Sequence, residues 1–370
     1  MFSAAAFTPG WIDTQRRQLG NCDPGILEKC VHALTLLGYL VESGLPFIFK
    51  GGTSLLLHLP QVRRLSRDID IVCGRPAAEV KTVVQAIGAR APFFRWEEDD
   101  RGARGLPQRR HFKFFYRSAL AGNVEQELLL DVVEEAREVH TLVTRPIRTS
   151  FLEPETEHLV RVPTIESLLG DKLTAFAPHT TGVPFYSAKS GEEQVQQVAK
   201  QLFDIGVLFD VATDFTAVAK SYDAVSAQES EYRGNRHGRE AALADTWQAC
   251  LALTATKKRD LELFADASLL HGGLDKLQGH LTWPEFLRGR EPRRTMAARA
   301  AVLVAHLRAR VAFDFSAHRY IGGGPQLESL RVATLNGTPL AWIDGVKAVN
   351  PEAYYYWHRA IQLSPSKPLQ

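Results

Sequence analysis

The fold of this chain is decided by two stretches of sequence, Lys50-Gly51-Gly52-Thr53-Ser54-Leu55 and Arg64-Leu65-Ser66-Arg67-Asp68-Ile69-Asp70. The first predicts the end of a strand over residues 46–50, a turn at the glycine pair and a new helix over residues 53–59. The second leads into Asp68-Ile69-Asp70-Ile71-Val72, where polar and apolar residues alternate. In a strand, this alternation sends both carboxylates to one face and both isoleucines to the other.

Further elements are predicted on both sides of these stretches. Apolar residues at helical spacing predict a helix over residues 24–42, which Ser43-Gly44 ends, and another over residues 78–87. Residues 111–116 and 125–133 predict two strands joined through a turn at Gly122-Asn123. In the second of these strands, Asp131 lies on the face opposite Leu128, Leu130 and Val132. Asp131 is therefore placed to join the aspartate pair.

The pattern changes near Pro163, from mixed strands and helices to helices alone. Helices are predicted over residues 165–177, 193–210, 214–229, 238–253, 257–271 and 295–311. The remaining C-terminal residues are rich in glycine, proline and aromatic residues and predict no definite element. The predicted fold class is α+β, with a small mixed sheet flanked by helices in residues 1–162 and a mostly helical domain in residues 163–370.

The bulk composition is that of a globular protein. Hydrophobic residues make up 45% and charged residues 23% of 370, and at about 150 residues per domain this length indicates two domains. The net charge of +2 leaves any binding of nucleic acid to local basic patches. The four cysteines match neither zinc-ligand nor disulfide spacing, which predicts free thiols. No secretory signal or membrane span is recognisable, so we expect a cytoplasmic protein.

Three carboxylates placed close together favour a divalent cation. Asp68, Asp70 and Asp131 cannot all stay ionised at short range unless positive charge neutralises them. Mg²⁺ takes a few carboxylate oxygens and fills its octahedron with water and phosphate oxygens, which suits phosphoryl or nucleotidyl transfer. An Asp-x-Asp pair also occurs by chance at solvated strand ends, so a structural interpretation of the pair alone stays open.

The glycine turn adds a second chemical feature. Glycines between a strand and a helix allow backbone N–H groups to approach a phosphate. The turn is not a Walker P-loop, because no Gly-Lys-Ser/Thr ends it, and not a Rossmann fingerprint, because the third glycine is missing. An ordinary tight turn is the alternative.

Taken together, Gly51-Gly52-Thr53 and the later Arg-x-Ser-x-Asp-Ile-Asp segment resemble the AbiEii family of nucleotidyltransferase toxins, within the DNA-polymerase-β-like superfamily. Residues 166–176 resemble the helix that carries the family lysine, at Lys172, and residues 200–204 resemble a later motif that ends at Asp204. Lys200 and Gln201 differ from the arginine and aspartate that the family often has, and an insert that contains residues 181–184 lengthens the gap between the two motifs. The resemblance covers residues 25–210.

The resemblance implies a magnesium-dependent enzyme that transfers NMP from a nucleoside triphosphate to an acceptor. It implies the tRNA 3′ end as acceptor and a cognate antitoxin protein as partner. It also implies that residues 1–162 form the nucleotidyltransferase domain and that the helical domain contributes Lys172 and Asp204 to the site. The implied metal ligands are Asp68, Asp70 and Asp131; the nucleotide-binding residues are Gly51, Gly52, Thr53, Ser54 and Lys172; the catalytic residues are Asp68, Asp70, Asp131, Lys172 and Asp204.

Lys172 is an unusual residue in its own helix. It falls within an apolar stripe formed by Ile165, Leu168, Leu169, Leu173 and Phe176. A lysine there needs an anionic partner, because an unpaired buried charge is costly. A triphosphate is one candidate and Asp204 is another, so a buried ion pair that merely orients the helices stays an alternative.

Basic and aromatic residues alternate in a third region. The cations are Arg101, Arg104, Arg109, Arg110, Lys113 and Arg117, and the aromatic residues are Phe112, Phe114, Phe115 and Tyr116. This pattern fits contact with an RNA backbone. A solvated strand edge fits it equally well.

Two other functions remain open at the level of sequence. The same fold transfers nucleotides to antibiotics or to protein hydroxyls, and no acceptor motif is recognisable here. The second is a non-catalytic module that binds nucleotide or a protein partner. The presence of Asp68, Asp70, Asp131 and Lys172 together argues against it, since a lost active site need not keep all four.

Overall fold

The structure is a computed structural model, and it describes residues 2–99, 107–255, 262–282 and 289–363. The chain divides into two compact units. The first comprises residues 1–164 and 279–284, and the second comprises residues 165–278 and 285–370.

The first unit contains a five-stranded mixed sheet and a second sheet of two strands, which come later in the chain. Its strands are β1 (Ile48–Lys50), β2 (Ile69–Val72), β3 (Phe93–Glu98), β4 (Gln108–Arg117), β5 (Glu125–Glu134), β6 (Leu142–Pro146) and β7 (Leu159–Pro163). The five-stranded sheet has the order β1-β2-β5-β4-β3, and β6 pairs with β7. Strands β2 and β5 run parallel, and the other neighbours are antiparallel. Its helices are α1 (Pro9–Gln18), α2 (Pro24–Glu42), α3 (Gly51–Ser54) and α4 (Ala77–Gly88).

Helix α2 covers one face of the five-stranded sheet. It begins where the Asp23 side chain accepts a hydrogen bond from the Ile26 amide, and Pro24 occupies its first turn. Its apolar residues share one buried core with every second residue of three strands, which are Ile69, Ile71, Phe112, Phe114, Tyr116, Leu128, Leu130 and Val132. The opposite face of the same strands carries polar residues, among them Asp70, His111 and Asp131, together with apolar ones such as Phe115, Leu129 and Val133.

A short segment from late in the chain completes this unit. The Leu65 amide donates to the His280 carbonyl at 2.7 Å, and the Thr282 amide donates to the Arg63 carbonyl at 3.1 Å. The Thr282 hydroxyl donates to the Val62 carbonyl at 2.7 Å. These bonds hold the stretch that leads into β2 in an extended conformation.

The second unit is helical in the residues that the structure describes, apart from one isolated bridge. Its helices are α5 (Ile165–Ala175), α6 (Val195–Val211), α7 (Phe215–Tyr232), α8 (Arg239–Thr254), α9 (Ala267–Leu277), α10 (Glu291–Ala309), α11 (Phe315–His318), α12 (Pro325–Val332) and α13 (Pro351–Leu363). Helices α5 and α7 cross closely at Gly170, where an added Cβ would lie 2.6 Å from the Tyr222 nitrogen. The predicted α+β fold class is confirmed, with its mixed sheet followed by helices.

Several predicted elements need correction. The helix predicted over residues 53–59 is one turn, α3, followed by a 3₁₀ turn at Leu55–Leu57. For the helix predicted over residues 257–271, residues 257–261 lie outside the described residues, and α9 begins only at Ala267 and continues to Leu277. Strands β3, β6 and β7 and helix α1 were not predicted, nor were the C-terminal helices α11 to α13.

Two bulk expectations can be compared with the structure. All four cysteines are free and buried, as predicted, and burial raises the pKa of the Cys30 thiol to about 12. Across the described part of the chain, no helix is long and apolar enough to cross a membrane.

Candidate metal and nucleotide site

Four polar residues form a row across the polar face of the five-stranded sheet. Lys50 is the register partner of Asp70 across β1 and β2. Asp70 is the partner of Asp131 across the parallel pair β2 and β5. Asp131 is in turn the partner of His111 across β5 and β4. Two carboxylates therefore stand side by side, with a cationic lysine at one end and an imidazole at the other.

His111 contacts Asp131 directly, and sequence analysis missed it. Its Nδ1 lies 2.6 Å from Asp131 Oδ1. The His111 side chain is 14% exposed and the Asp131 side chain 32% exposed. This contact joins two strands that are already paired along their full length.

The glycine turn lies directly against Asp70. Gly51 has φ +79°, and a Cβ on it would lie 2.0 Å from Asp70 Oδ2. A glycine is required on both counts, because a side chain would meet the left-handed backbone penalty and the carboxylate at once. The turn predicted to bind phosphate and the carboxylate predicted to bind metal are thus neighbours.

The residues that follow the glycines fasten the turn to the protein. The Thr53 hydroxyl donates to the Asp68 carbonyl at 2.6 Å, and the Ser54 hydroxyl donates to the Gly51 carbonyl at 2.8 Å. Both side chains are completely buried. Asp68 lies one residue before β2, so its position relative to the turn is set through its own backbone.

A positive charge lies directly against this turn. The buried Arg64 guanidinium packs against Gly52, where an added Cβ would lie 2.4 Å from its Nη2. On α2, burial lowers the pKa of Lys29 and the charge of Arg67 lowers it further, while Glu127 and Asp68 act in the opposite direction. Lys29 thus lies within electrostatic range of Arg67, Asp68 and Glu127.

The donor set suits a hard cation. Asp68, Asp70 and Asp131 offer oxygen atoms alone, as Mg²⁺ prefers. Within the described residues, no group of three or more His, Cys, Asp or Glu side chains is arranged to hold a metal ion. Mg²⁺ characteristically uses one or two protein carboxylates and completes its octahedron with water and substrate phosphates, so the paired Asp70 and Asp131 fit it.

Lys172 and Asp204 form a buried ion pair within the second unit. Lys172 Nζ lies 3.2 Å from Asp204 Oδ2, and the two side chains are 7% and 3% exposed. The ammonium also donates to Gln201 Oε1 at 3.1 Å. Lys172 therefore has the anionic partner that a lysine in apolar surroundings needs, and this partner, Asp204, lies on α6.

The aromatic residues of the predicted RNA-binding run do not face solvent. Phe112, Phe114 and Tyr116 are fully buried against the core, so these aromatic residues are not available for the predicted contact with an RNA backbone. The strand-edge alternative is also wrong, because β4 lies between β5 and β3.

Two of the basic residues in the same run form ion pairs. Arg110 pairs with Glu98 and Glu134, and Lys113 pairs with Asp99 and Glu127. Arg101 and Arg104 lie outside the described residues.

A glycine turn against paired strand carboxylates defines the class of the protein as nucleotidyltransferase, and comparison with known families agrees. The model of the nucleotidyl transferase AbiEii toxin family, of type IV toxin–antitoxin systems, matches residues 35–294. The chain therefore belongs to the AbiEii family of nucleotidyltransferase toxins. Among curated proteins, none matches the sequence.

Solved structures that match this chain include two bacterial proteins. MenT4, a nucleotidyltransferase toxin from Mycobacterium tuberculosis, is 16% identical with a TM-score of 0.44, covering 77% of this chain and 94% of that one. JHP933 from Helicobacter pylori is 16% identical with a TM-score of 0.37, covering 76% of this chain and 92% of that one.

Proposed function

We propose that this protein is the toxin of a toxin–antitoxin pair and transfers NMP from a nucleoside triphosphate to the 3′ end of tRNA, with Mg²⁺ as its metal. The observation that carries the proposal is the contact between Gly51 and Asp70. It joins the glycine turn, where Gly51 and Gly52 open α3, to a pair of carboxylates, and a metal-bound triphosphate requires both. The family supports the toxin role and the antitoxin partner.

Asp70 and Asp131, the register partners on β2 and β5, would hold the cation, and the role of Asp68 as a third ligand rests on the family resemblance alone. When bound, Mg²⁺ would neutralise charge on the triphosphate and on the pyrophosphate that leaves. The amides of Gly51 and Gly52 would bind phosphate oxygens. Thr53 and Ser54 would keep those amides in place through their hydrogen bonds to the turn and to the Asp68 carbonyl.

Transfer is a single displacement at the α-phosphorus. The acceptor hydroxyl oxygen forms a bond to that phosphorus, the bond to the bridging oxygen breaks, and pyrophosphate leaves with its electron pair. Asp131 would take the proton of the attacking hydroxyl. Lys172, by likeness to the family lysine, would neutralise charge on pyrophosphate, and Asp204 would fix the direction of its ammonium.

The test supplies purified protein with Mg²⁺, each labelled nucleoside triphosphate in turn, and total tRNA. Parallel reactions offer bacterial protein and an aminoglycoside as acceptors. We expect label at the tRNA 3′ end, lost in Asp70→Asn and Asp131→Asn and on addition of EDTA. The control is Glu127→Gln. Glu127 lies on the same face of β5 as Asp131, but its carboxylate pairs with Lys113 and has no part in the proposed metal site. Label on protein or aminoglycoside alone would replace tRNA as the acceptor.

A further inference from the structure

The geometry points to His111 as the residue that positions the Asp131 carboxylate for the cation. This inference rests on the proposed function and adds a residue to its site. His111 is no metal ligand in this proposal. It acts through Asp131, from the neighbouring strand, and no part of the family resemblance included it.

The hydrogen bond fixes one of the two carboxylate oxygens. A carboxylate has no proton to give, so the His111 Nδ1 at 2.6 Å carries the hydrogen and Asp131 Oδ1 accepts it. With Oδ1 occupied, Oδ2 is the oxygen through which Asp131 would bind the metal. Partners that hold metal-binding side chains in this way orient them and set the affinity of the site.

Asp131 needs such a partner because its own torsion preferences are weak. Rotation of a carboxylate about its last bond has a broad, roughly two-fold profile. The β2–β5–β4 ladder fixes the backbone of Asp131 next to Asp70 but leaves the plane of the carboxylate undetermined. The His111 side chain has less freedom than that of Asp131, since it is only 14% exposed.

The competing explanation is a contact that only stabilises the sheet. Cross-strand polar pairs of this kind contribute modestly to the stability of a sheet. A structural contact would change the unfolding midpoint and leave the affinity for metal as it was. A positioning contact would change the affinity for metal, and the change would depend on Asp131.

The experiment uses the full chain and Mn²⁺ as the probe, with affinity measured by electron paramagnetic resonance. His111→Leu removes the hydrogen bond, whereas His111→Asn keeps an N–H donor close to the position of Nδ1. Lys113→Leu is the matched control, because it lies on the same face of β4 and pairs with Asp99 and Glu127. Two further variants carry Asp131→Ala, one alone and one combined with His111→Leu.

We expect His111→Leu to weaken Mn²⁺ binding about 10- to 100-fold. His111→Asn should recover most of the loss, and Lys113→Leu should bind as the unaltered chain does. In the Asp131→Ala background, His111→Leu should cause no further weakening. In steady-state transfer, His111→Leu should raise KM for the nucleotide more than it lowers kcat, and excess Mn²⁺ should restore the rate.

Three results would overturn the inference. Equal Mn²⁺ affinity in His111→Leu and the unaltered chain would reduce the contact to sheet stability while the proposed function stands. Equal losses of Mn²⁺ affinity in His111→Leu and His111→Asn would show that the N–H donor does not position Asp131. Failure of the unaltered chain to bind Mn²⁺ at all would remove the proposed metal site itself, and the positioning role with it.

Discussion

At position 51, both the backbone conformation and the neighbouring Asp70 carboxylate require a glycine. Ala at this position would pay the left-handed backbone cost of roughly 1–2 kcal/mol and would also push on Asp70 Oδ2. Gly44 is the matched control, since its φ is +75° and an added Cβ would find nothing within 4 Å. We expect Gly44→Ala and Gly51→Ala both to lower the urea midpoint. Nucleotidyl transfer should be lost in Gly51→Ala alone, and equal activity of the two variants would contradict the role of this contact.

His111 shows why the site could be predicted only in part. The alternation in residues 68–72 and 125–133 was enough to place Asp70 and Asp131 on one face. A two-residue turn at Gly122-Asn123 would have set Phe114 opposite Asp131. The loop is longer, from Ser118 to Val124, and the actual register sets His111 there. Because register depends on turn length, the sequence pattern alone could not identify the partner.

A buried histidine gives the first unit a pH dependence. Burial lowers the pKa of His32 to about 4 from an ordinary 6.5, and its ring stacks on Tyr116. Between those values the unfolded chain binds more protons than the folded chain, so the free energy of unfolding falls as pH falls from 6.5 towards 4, by about 3 kcal/mol. His32→Phe keeps a ring against Tyr116 and should flatten this part of the curve.

The measurement for His32 is urea unfolding at a series of pH values. Unfolding near pH 7.5, where His32 is neutral in both states, gives the baseline difference between the two proteins. An unaltered slope below pH 6.5 in His32→Phe would assign the pH dependence to other groups.

Among the elements, prediction succeeded where burial is periodic. Helix α2 was predicted with its observed bounds because its apolar residues repeat at helical spacing and Asp23, Pro24 and Gly44 mark its ends. Strand β3 was missed because Phe93-Phe94-Arg95-Trp96-Glu97-Glu98 does not alternate cleanly, and its pairing with β4 contains a bulge between Phe93 and Arg95. An irregular strand at the sheet edge carries a weak signal of its own.

Helices α5 and α6 meet through the ion pair of Lys172 with Asp204, which allows a structural role to be separated from a catalytic one. Asp204→Leu alone leaves a buried ammonium without its carboxylate and should cost about 3–5 kcal/mol. Lys172→Met combined with Asp204→Leu removes both charges and should recover most of that stability. We expect the double variant to fold, as judged by urea unfolding, and to have lost transfer activity. An active double variant would leave the pair a purely structural role.

At the scale of the whole molecule, the first compact unit is not one continuous stretch of the chain. Residues 279–284 belong to the first unit although residues 165–278 intervene. A boundary at residue 162 could be predicted from the change in pattern, but a return of a few residues has no periodicity to reveal it. The returning segment bonds to residues 62–65, just before Asp68, so a late part of the chain contributes to the order of the proposed metal site.

Thr282 provides the test of this return. Its buried hydroxyl donates to the Val62 carbonyl at 2.7 Å, so Thr282→Val should cost about 1 kcal/mol locally. Thr246→Val is the control, because its buried hydroxyl bonds within α8 to the Ala242 carbonyl. Hydrogen exchange at the Leu65 amide, which donates to His280, should accelerate in Thr282→Val and stay as it was in Thr246→Val. If the Leu65 amide kept its protection in both, the returning segment would not be what orders the stretch before Asp68, and the paired strands alone would account for it.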